Sequence, residues 1–235
     1  MNPGPSARMA FPGEWLVCFA VKEEAQAFKS MSRGTQPGKV RTLITGMGRA
    51  NAERTLRENI KENKPSLLLT CGFAGGLDPA LPKGAALFEA DPQSPIAGYL
   101  VAAGAKPGRF HCSERIAVTA AEKQTLRETT GADAVEMESA HIRAICRDHQ
   151  IPSATMRVIL DIADEDLPLD FNALMTASYS LDFKKLALLL IRSPSKIGCL
   201  LELQKASRKA SEAMAKVLQN VVGQIEPEAR LKAHP

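Results

Sequence analysis

The stretch that decides the fold is 131–166, GADAVEMESAHIRAICRDHQIPSATMRVILDIADED. Its first half predicts a helix over 135–149, because apolar residues recur there at helical spacing. Its second half is rich in β-branched residues and predicts a buried strand over 154–161 that ends in Asp161. A helix followed directly by a buried strand is the repeating unit of an α/β domain.

The rest of the chain continues this alternation of apolar, β-branched runs with amphipathic segments. A glycine-rich turn over 72–76 is expected directly after the third strand. The last part of the chain, from Leu169, predicts helices that are interrupted near Pro194. The remaining predicted strands are 15–21, 40–45, 66–71, 85–90 and 116–119, and the remaining predicted helices are 23–31, 50–62 and 120–129.

The composition is that of an ordinary globular protein, with 235 residues of which 45% are hydrophobic and 24% are charged. These values exclude long disorder, a collagen-like fibre and a disulfide scaffold. The net charge of +4 is too small to favour nucleic-acid binding. Nothing resembles a linker, so we expect one domain over 15–223, with a flexible leader over 1–14 and a flexible tail over 224–235.

Cysteine and histidine usage predicts neither disulfides nor a metal site. The 5 cysteines are scattered and form no C-x-x-C pair, as expected for free thiols in a reducing compartment. The 4 histidines show no zinc-ligand spacing. The amino terminus lacks the apolar core of a signal peptide, and the longest apolar run, 186–191, is too short to span a membrane. We therefore expect a cytoplasmic protein with no metal or other cofactor.

Glu138 is an anomaly of the predicted helix over 135–149. Apolar residues follow it four, seven and eight positions later, so Glu138 heads the apolar stripe where a hydrophobic residue is expected. A carboxylate that is buried alone costs several kcal/mol and needs partners or a ligand. The alternative is a solvated carboxylate that favours the helix N-terminus. Helix geometry does not decide between the two.

Further acids stand at the ends of predicted strands. Asp161 ends the strand over 154–161, and Glu24 follows the first strand, next to Glu23. Ligands in open α/β sheets bind outside the carboxyl ends of the strands. Alternatively, Asp161 caps the next element or pairs with Arg157, and the two glutamates only favour a helix N-terminus. A cleft that combines such acids with glycine-rich turns suits a polyhydroxylated, nitrogenous substrate.

Several common enzyme motifs are missing from the chain. The segment 46–51, GMGRAN, ends in Asn and therefore fails the dinucleotide-binding fingerprint. The sequence contains neither the G-x-x-x-x-G-K-[ST] pattern of a P-loop nor the G-x-S-x-G elbow of α/β serine hydrolases.

Taken together, five stretches resemble the nucleoside phosphorylase/nucleosidase superfamily. The VEMES element and the R-x-I-x-D strand after it are the specific parts, and the FAGGL turn supports them. Within the superfamily, the chain looks similar to methylthioadenosine/S-adenosylhomocysteine nucleosidases and to hopanoid-associated phosphorylases. The resemblance implies a single-domain, three-layer α/β sandwich with a central mixed, twisted sheet flanked by helices. The stretches are FAVKEEAQAF (19–28), TGMGRANAERTL (45–56), LLLTCGFAGGLDPALPKGAALF (67–88), GADAVEMESAHIRAIC (131–146) and MRVILDIADED (156–166).

The resemblance also implies a role for each candidate residue. The family breaks the N-glycosidic bond of a nucleoside through an oxocarbenium-like transition state. Asp161 matches the acid that protonates purine N7, Glu24 the carboxylate that orients an attacking water, and Glu138 the residue that binds the ribose 2′ and 3′ hydroxyls. Further substrate-binding positions are Met137, Ala74, Gly75, Phe73 and Glu136, and the nucleophile or phosphate pocket is expected at Gly48 and Arg49.

The chain departs from the family pattern in three places. Leu160 stands where a serine usually helps to position the catalytic aspartate, so a hydrogen-bond donor is lost beside Asp161. Phe73 stands where the nucleosidases usually have serine. The stretch 67–70, LLLT, lacks the arginine with which phosphorolytic members hold phosphate, which favours water as the nucleophile.

We therefore expect an enzyme that hydrolyses the N-glycosidic bond of a purine nucleoside, with a 5′-substituted adenosine as substrate. Two alternatives remain: a phosphorylase that uses inorganic phosphate as co-substrate, including on adenosylhopane, and a catalytically silent nucleoside-binding protein. Family members assemble as dimers or larger, which implies a homo-oligomer, and no nucleic-acid partner is expected. The apolar residues of 186–203, followed by basic ones, predict either helices packed on the sheet or a contact with a membrane surface.

Overall fold

The computed structural model describes residues 13–31, 40–91, 94, 96–176 and 179–224. The predicted flexible leader and tail, apart from Gly13, Glu14 and Gln224, lie outside the described residues.

The described residues alternate strands and helices, as the sequence predicts. The strands are β1 (Trp15–Phe19), β2 (Val40–Ile44), β3 (Leu67–Gly76), β4 (Ala86–Ala90), β5 (Lys106–Pro107), β6 (Phe110–Cys112), β7 (Ala134–Glu136) and β8 (Ser153–Asp161). The helices are α1 (Lys22–Met31), α2 (Arg49–Glu62), α3 (Ile96–Ala102), α4 (Ala120–Thr130), α5 (Ser139–Asp148), α6 (Phe171–Leu174), α7 (Phe183–Arg192) and α8 (Lys196–Gly223).

All 8 described strands belong to one mixed sheet, whose main path runs β2-β1-β3-β8-β4-β5. The strands from β2 to β8 along this path are parallel, and β4 runs antiparallel to β8. β7 pairs antiparallel with the end of β3 and parallel with β6. The carboxyl ends of β1, β2, β3 and β8 therefore lie at one edge of the sheet, where ligands bind in open α/β folds.

Alternate residues of the central strands face opposite layers of the molecule. Leu16, Cys18 and Leu68 face one layer, where they pack against α2 and α5. Their neighbours face the other layer and pack against α1, α3 and α8: Trp15, Val17, Phe19, Leu67 and Leu69. Helices therefore flank the sheet on both faces, which confirms the predicted fold class.

The structure corrects the prediction around the deciding stretch 131–166. The expected helix over 135–149 is instead the short strand β7 followed by α5, because Val135 pairs with Gly75 of β3 and with His111 of β6. Periodicity alone does not separate a short apolar strand from the first turn of a helix. Glu138 consequently stands at the N-cap of α5, while the stripe that follows it is buried as predicted.

Two further expectations about local structure are wrong. The turn predicted over 72–76 is strand, because β3 continues to Gly76 through pairing with β8 and β7. The strand predicted over 116–119 does not form; Thr119 instead caps α4 by accepting from the backbone N–H of Glu122. The structure also contains α3, β5 and β6, in a segment where the sequence predicts no helix or strand.

The C-terminal helices differ from the rest of the molecule in burial. α7 has no buried residue, and its Phe183 and Ile191 are 74% and 76% exposed. The buried residues of α8 begin only at Ala210, in its second half. Across the described parts of the chain, no helix combines the length and apolar character needed to cross a membrane.

Candidate active site

A cavity of about 360 Å³ lies where the carboxyl ends of β1, β3 and β8 meet β7. Glu24, Glu138 and Asp161 all line it, so the structure brings together the three acids that the sequence singles out. Each is less than a tenth exposed. Burial of several carboxylates at one sheet edge requires dedicated partners, and each of the three has them.

Glu24 is held by backbone N–H groups at the start of α1. Its Oε2 accepts from Ala20 at 3.0 Å and Val21 at 3.3 Å, and its Oε1 accepts from Phe73 of β3 at 2.9 Å. Burial raises the pKa of Glu24, against the opposing effect of these N–H groups and of a nearby arginine. The preceding Glu23 is exposed, so only the second of the two adjacent glutamates belongs to the site.

Gly72 makes room for Glu24. A Cβ atom at position 72 would lie 2.7 Å from Oε1 of Glu24, closer than real Cβ contacts allow. Glycine is therefore needed at this point of β3 so that the strand can pass beside the carboxylate.

Glu138 reaches the site from the N-cap of α5. Its Oε1 accepts from the backbone N–H of Gly48, the N-cap of α2, at 2.8 Å. Burial and the neighbouring negative charge of Glu136 raise the pKa of Glu138 to about 7, although Arg157 lowers it. Its second oxygen accepts no hydrogen bond from the described residues and is available to a ligand that donates hydrogen bonds.

Glu136 and Arg157 form a buried ion pair beneath the cavity. Arg157 Nη2 lies 2.6 Å from Glu136 Oε2, and Ser139 donates to the same carboxylate through its backbone N–H and its hydroxyl. Burial opposes the ionised form, but Arg157 and Ser139 outweigh it and hold the pKa of Glu136 below its usual value. Arg157 also donates to Thr70 Oγ1 at 3.3 Å. The possible pairing of Arg157 with Asp161 is therefore wrong.

A second, much smaller cavity lies below the first, and we call it the recess. Its volume is about 10 Å³, which is room for about one water molecule. Glu24, Glu138, Arg157, Thr70 and Phe73 are among the residues that line it. Polar groups thus surround a space that suits a single water.

Asp161 ends β8 opposite Gly75 of β3. It forms an ion pair with Lys123 of α4, whose side chain is fully buried. Lys123 Nζ also donates to the backbone carbonyls of Ile162 at 2.8 Å and Glu165 at 2.7 Å. Burial raises the pKa of Asp161, and the ammonium group of Lys123 lowers it.

The far wall of the cavity is mainly apolar; its charged residue is Arg115, which pairs with Glu122. This wall is formed by the loop before α4, by the chain after β8 and by the C-terminal helices. Apolar side chains there offer van der Waals contact and exclude water, but they provide no charge. The residues concerned include Ile116, Leu167, Phe171, Met175, Leu181 and Leu203.

The cavity is also lined by the predicted substrate-binding residues. Met137, Phe73, Ala74 and Gly75 line the cavity. Glu136 lines it too, but its carboxylate is occupied by Arg157 and Ser139, so the structure gives it a supporting position rather than the expected place against substrate.

Gly48 and Arg49, where the phosphate pocket is expected, are not among the residues that line the cavity. Gly48 acts through its backbone N–H on Glu138, whereas the Arg49 side chain is 64% exposed and pairs with Glu53 one helical turn away. The structure thus gives Arg49 no contact with the cavity, because the first turn of α2 directs its side chain to solvent, and its assignment to a nucleophile pocket stays a prediction.

Sequence reasoning missed Lys123, Thr70 and Gly72 as parts of the site. A signal existed for Lys123, which stands three positions before the partly buried Leu126 on the inner stripe of a predicted helix. That is the same kind of anomaly as Glu138. Thr70 and Gly72 carry no such signal, because their roles depend on which side chains arrive from other elements.

The site offers two kinds of chemistry, proton transfer and stabilisation of positive charge. Carboxylates with raised pKa values act as acids or bases near neutral pH, and a group of carboxylates stabilises a cation that develops between them. Among the described residues, no group of three or more His, Cys, Asp and Glu side chains could hold a metal ion. All five cysteines are free, and Cys18, Cys71 and Cys146 are buried.

Comparisons with known proteins agree with the fold. Residues 101–192 match the family model described as the phosphorylase superfamily. A curated relative, the 5′-methylthioadenosine/S-adenosylhomocysteine nucleosidase of Glaesserella parasuis serovar 5 (strain SH0165), is 25% identical over 163 residues, which cover 55% of this chain and 71% of the relative.

Solved structures show the same architecture at low sequence identity. The native futalosine hydrolase of Helicobacter pylori strain 26695 is 17% identical with a TM-score of 0.65, covering 90% of this chain and 97% of that one. The Helicobacter pylori 5′-methylthioadenosine/S-adenosylhomocysteine nucleosidase with butyl-thio-DADMe-Immucillin-A is 16% identical with a TM-score of 0.66, covering 91% and 99%.

Proposed function

We propose that the chain is a member of the phosphorylase superfamily, whose family model matches residues 101–192, and that it hydrolyses the N-glycosidic bond of a purine nucleoside, with a 5′-substituted adenosine as substrate. The observation that carries the proposal is the meeting of Glu24, Glu138 and Asp161 at one cavity, beside a recess with room for about one water molecule.

Charge explains why carboxylates suit this reaction. As the bond between C1′ and N9 breaks, positive charge develops on the ribose and the electron pair moves onto the purine. Glu138, with one oxygen held by Gly48, binds the ribose hydroxyls and stabilises the positive sugar. Because that charge is greatest in the transition state, the interaction lowers the barrier more than it strengthens substrate binding.

Asp161 completes the departure of the base. Its carboxyl proton passes to purine N7, so that the base leaves neutral and Asp161 remains as a carboxylate. Burial favours the protonated form that this step requires. General-acid assistance of this kind is worth about 10²–10⁴-fold in rate.

Glu24 acts on the water. A water molecule that enters the recess would lie beside Glu24, which lines it; its oxygen bonds to C1′ and its proton passes to Glu24. The raised pKa makes Glu24 a better proton acceptor than a solvated glutamate. The products are the free purine base and the sugar with a hydroxyl at C1′.

The apolar wall supports a 5′-substituted substrate. Phe171, Met175 and Leu203 offer contact to an apolar group on the ribose 5′ carbon. An unsubstituted nucleoside leaves these apolar side chains exposed to water. The relatives are named for 5′-methylthioadenosine, S-adenosylhomocysteine and futalosine, which makes these compounds the first substrates to test.

Phosphorolysis is the less favoured alternative. The recess holds about one water, whereas inorganic phosphate is several times larger and needs cationic partners. Arg157, the cation beside the recess, is already paired with Glu136. Arg49 points to solvent.

One assay separates the candidate functions. The protein is incubated with adenosine, 5′-methylthioadenosine, S-adenosylhomocysteine and futalosine, with and without phosphate, while release of the free purine base is followed. The expected result is release from a 5′-substituted nucleoside without phosphate. Release only with phosphate would indicate a phosphorylase, and binding without release would indicate a silent nucleoside-binding protein.

The exposed face of the C-terminal helices supports the proposed contact with a membrane surface. Phe183, Leu188 and Ile191 of α7 are exposed, and Lys184 and Lys185 flank them, as in helices that lie on anionic lipid. Co-sedimentation with anionic and neutral vesicles tests this contact.

Light scattering tests the homo-oligomer that we also propose. An oligomer that buries the exposed face of α7 would replace the lipid contact.

A further inference from the structure

A fully buried lysine lies beside the proposed acid. Lys123 on α4 has an exposed fraction of 0%. Its ammonium group forms an ion pair with Asp161 and donates to two carbonyls of the loop that follows β8. Every contact of this ammonium group is therefore with Asp161 or with the residues directly after it.

The start of α4 fixes where Lys123 points. Thr119 and Glu122 form a reciprocal capping box, in which each side chain accepts from the backbone N–H of the other residue. Lys123 follows directly, so its direction is set by the cap. Removing a lysine completely from water is costly unless it is paired, and an apolar residue on this stripe would avoid that cost.

Other charged groups also face Asp161 but are engaged elsewhere. Lys83 and Glu165 influence the carboxyl group of Asp161 from neighbouring loops. They bond to each other at 2.7 Å, at sites that are partly exposed. Lys123 is thus the cation that meets the carboxylate directly inside the protein.

We propose that Lys123 is a positioning residue for Asp161 in the proposed hydrolysis. The inference rests on the proposed function. When the proton of Asp161 passes to purine N7, the aspartate is left as a carboxylate, and the ammonium group stabilises that charge and holds the carboxyl group in its orientation. Lys123 does not touch the substrate in this step.

The test compares two leaving groups. 5′-Methylthioadenosine needs a proton on its base, whereas 4-nitrophenyl riboside releases a stable anion and needs none. Lys123→Gln keeps an N–H donor for the two carbonyls but removes the charge. We expect it to lower kcat on the nucleoside by about 10²-fold and to leave cleavage of the nitrophenyl riboside within about threefold.

Three matched variants complete the experiment. Asp161→Asn is expected to show the same selective loss, and adding Lys123→Gln to Asp161→Asn should cost no more, because the lysine acts through the aspartate. Lys83→Met removes an exposed charge near the same loop and should change kcat less than twofold. Lys123→Arg restores the charge and should recover part of the nucleoside activity.

The pH profile gives a second readout. The ammonium group lowers the pKa of Asp161, so its removal should keep the acid protonated to higher pH and move the alkaline limb of kcat upward. Glu165 and Lys83, the other groups that face Asp161, remain unchanged in this variant.

Several results would overturn the inference: equal losses on both substrates, no loss on the nucleoside, or additive losses in the double variant. Equal loss is the signature of a purely structural lysine. If the glutamine variant does not fold, the same comparison of substrates is made on Lys123→Arg, where equal losses count against the inference in the same way. Failure of the unmodified protein to cleave any nucleoside, or full activity of Asp161→Asn, would overturn the proposed function itself.

Discussion

The two walls of the cavity are built on different principles. The wall at the sheet edge carries Glu24, Glu138 and Asp161, and each is buried and held by backbone N–H groups or by an ion pair. The opposite wall, with Phe171 and Leu203, is mainly apolar and comes from the part of the chain that includes the exposed helix α7. We call the first the rigid wall and the second the soft wall, and we expect bond cleavage to depend on the rigid wall and the choice of the 5′ substituent to depend on the soft one.

The strongest test of the rigid wall is Glu24→Gln. Glutamine keeps the size and one acceptor oxygen of the side chain but cannot take a proton from water. We expect kcat to fall by about 10²–10⁴-fold. The matched control is Glu23→Gln, which changes the exposed neighbour and should leave kcat unchanged. Equal losses in the two variants would contradict the role of Glu24.

Glu138→Gln should lower activity by about 10–100-fold, because a charge that stabilises the sugar cation in the transition state is lost. In the unmodified protein, activity should rise as the pH passes about 7, where Glu138 becomes a carboxylate. Steady-state rates between about pH 5 and pH 9 check both statements. A flat profile across this range would contradict the role of the ionised form.

The same substitution should stabilise the fold. Burial raises the pKa of Glu138 from 4.5 to about 7. The contribution of its protonated carboxyl group to stability is therefore complete below the pKa of Glu138 in the unfolded chain, and it is lost as the pH rises through about 7. The free energy of unfolding of Glu138→Gln at about pH 8 should therefore exceed that of the unmodified protein by roughly 1–3 kcal/mol. Near pH 4 the two should agree, and chemical denaturation at both pH values measures the difference.

The sequence predicts the rigid wall better than the soft one, for physical reasons. β1 is an apolar run and β8 contains several β-branched residues, so their positions follow from local pattern. The same pattern singles out Glu138 at the head of an apolar stripe but leaves open whether its carboxylate is buried or solvated. The short strand β7 does not follow from pattern, because three residues are strand only by virtue of their pairing with β3 and β6.

Local sequence pattern does not predict contacts between site residues that lie far apart in the chain. The pairing of Arg157 with Glu136 spans 21 positions, and that of Lys123 with Asp161 joins α4 to the end of β8. The first could not be distinguished in the sequence from a pairing of Arg157 with Asp161. The apolar wall is formed by residues between positions 116 and 203. None of them stands out in the sequence as part of a binding site.

The soft wall is tested by Phe171→Ala. Loss of aromatic contact in an apolar pocket is worth about 1–3 kcal/mol, so kcat/KM for 5′-methylthioadenosine should fall by about tenfold or more while adenosine changes little. Phe183→Ala is the matched control, because Phe183 is 74% exposed on α7. Equal effects of Phe171→Ala on both nucleosides would show that this wall does not select the 5′ group.

The smallest effect is expected for Arg49→Ala. Its side chain is 64% exposed and pairs with Glu53, and such surface pairs contribute about 0.3–0.5 kcal/mol. Activity with and without phosphate should change less than twofold. A loss of activity of more than tenfold would indicate that Arg49 does belong to the nucleophile pocket.

The central claim, that the buried acids direct a water molecule at C1′, is tested most directly by isotope labelling. The protein cleaves 5′-methylthioadenosine in water labelled with a heavy oxygen isotope, in the presence of phosphate, and the sugar is analysed by mass spectrometry. The account predicts free adenine and one heavy oxygen in the sugar. Formation of a sugar 1-phosphate in place of the labelled sugar would contradict it.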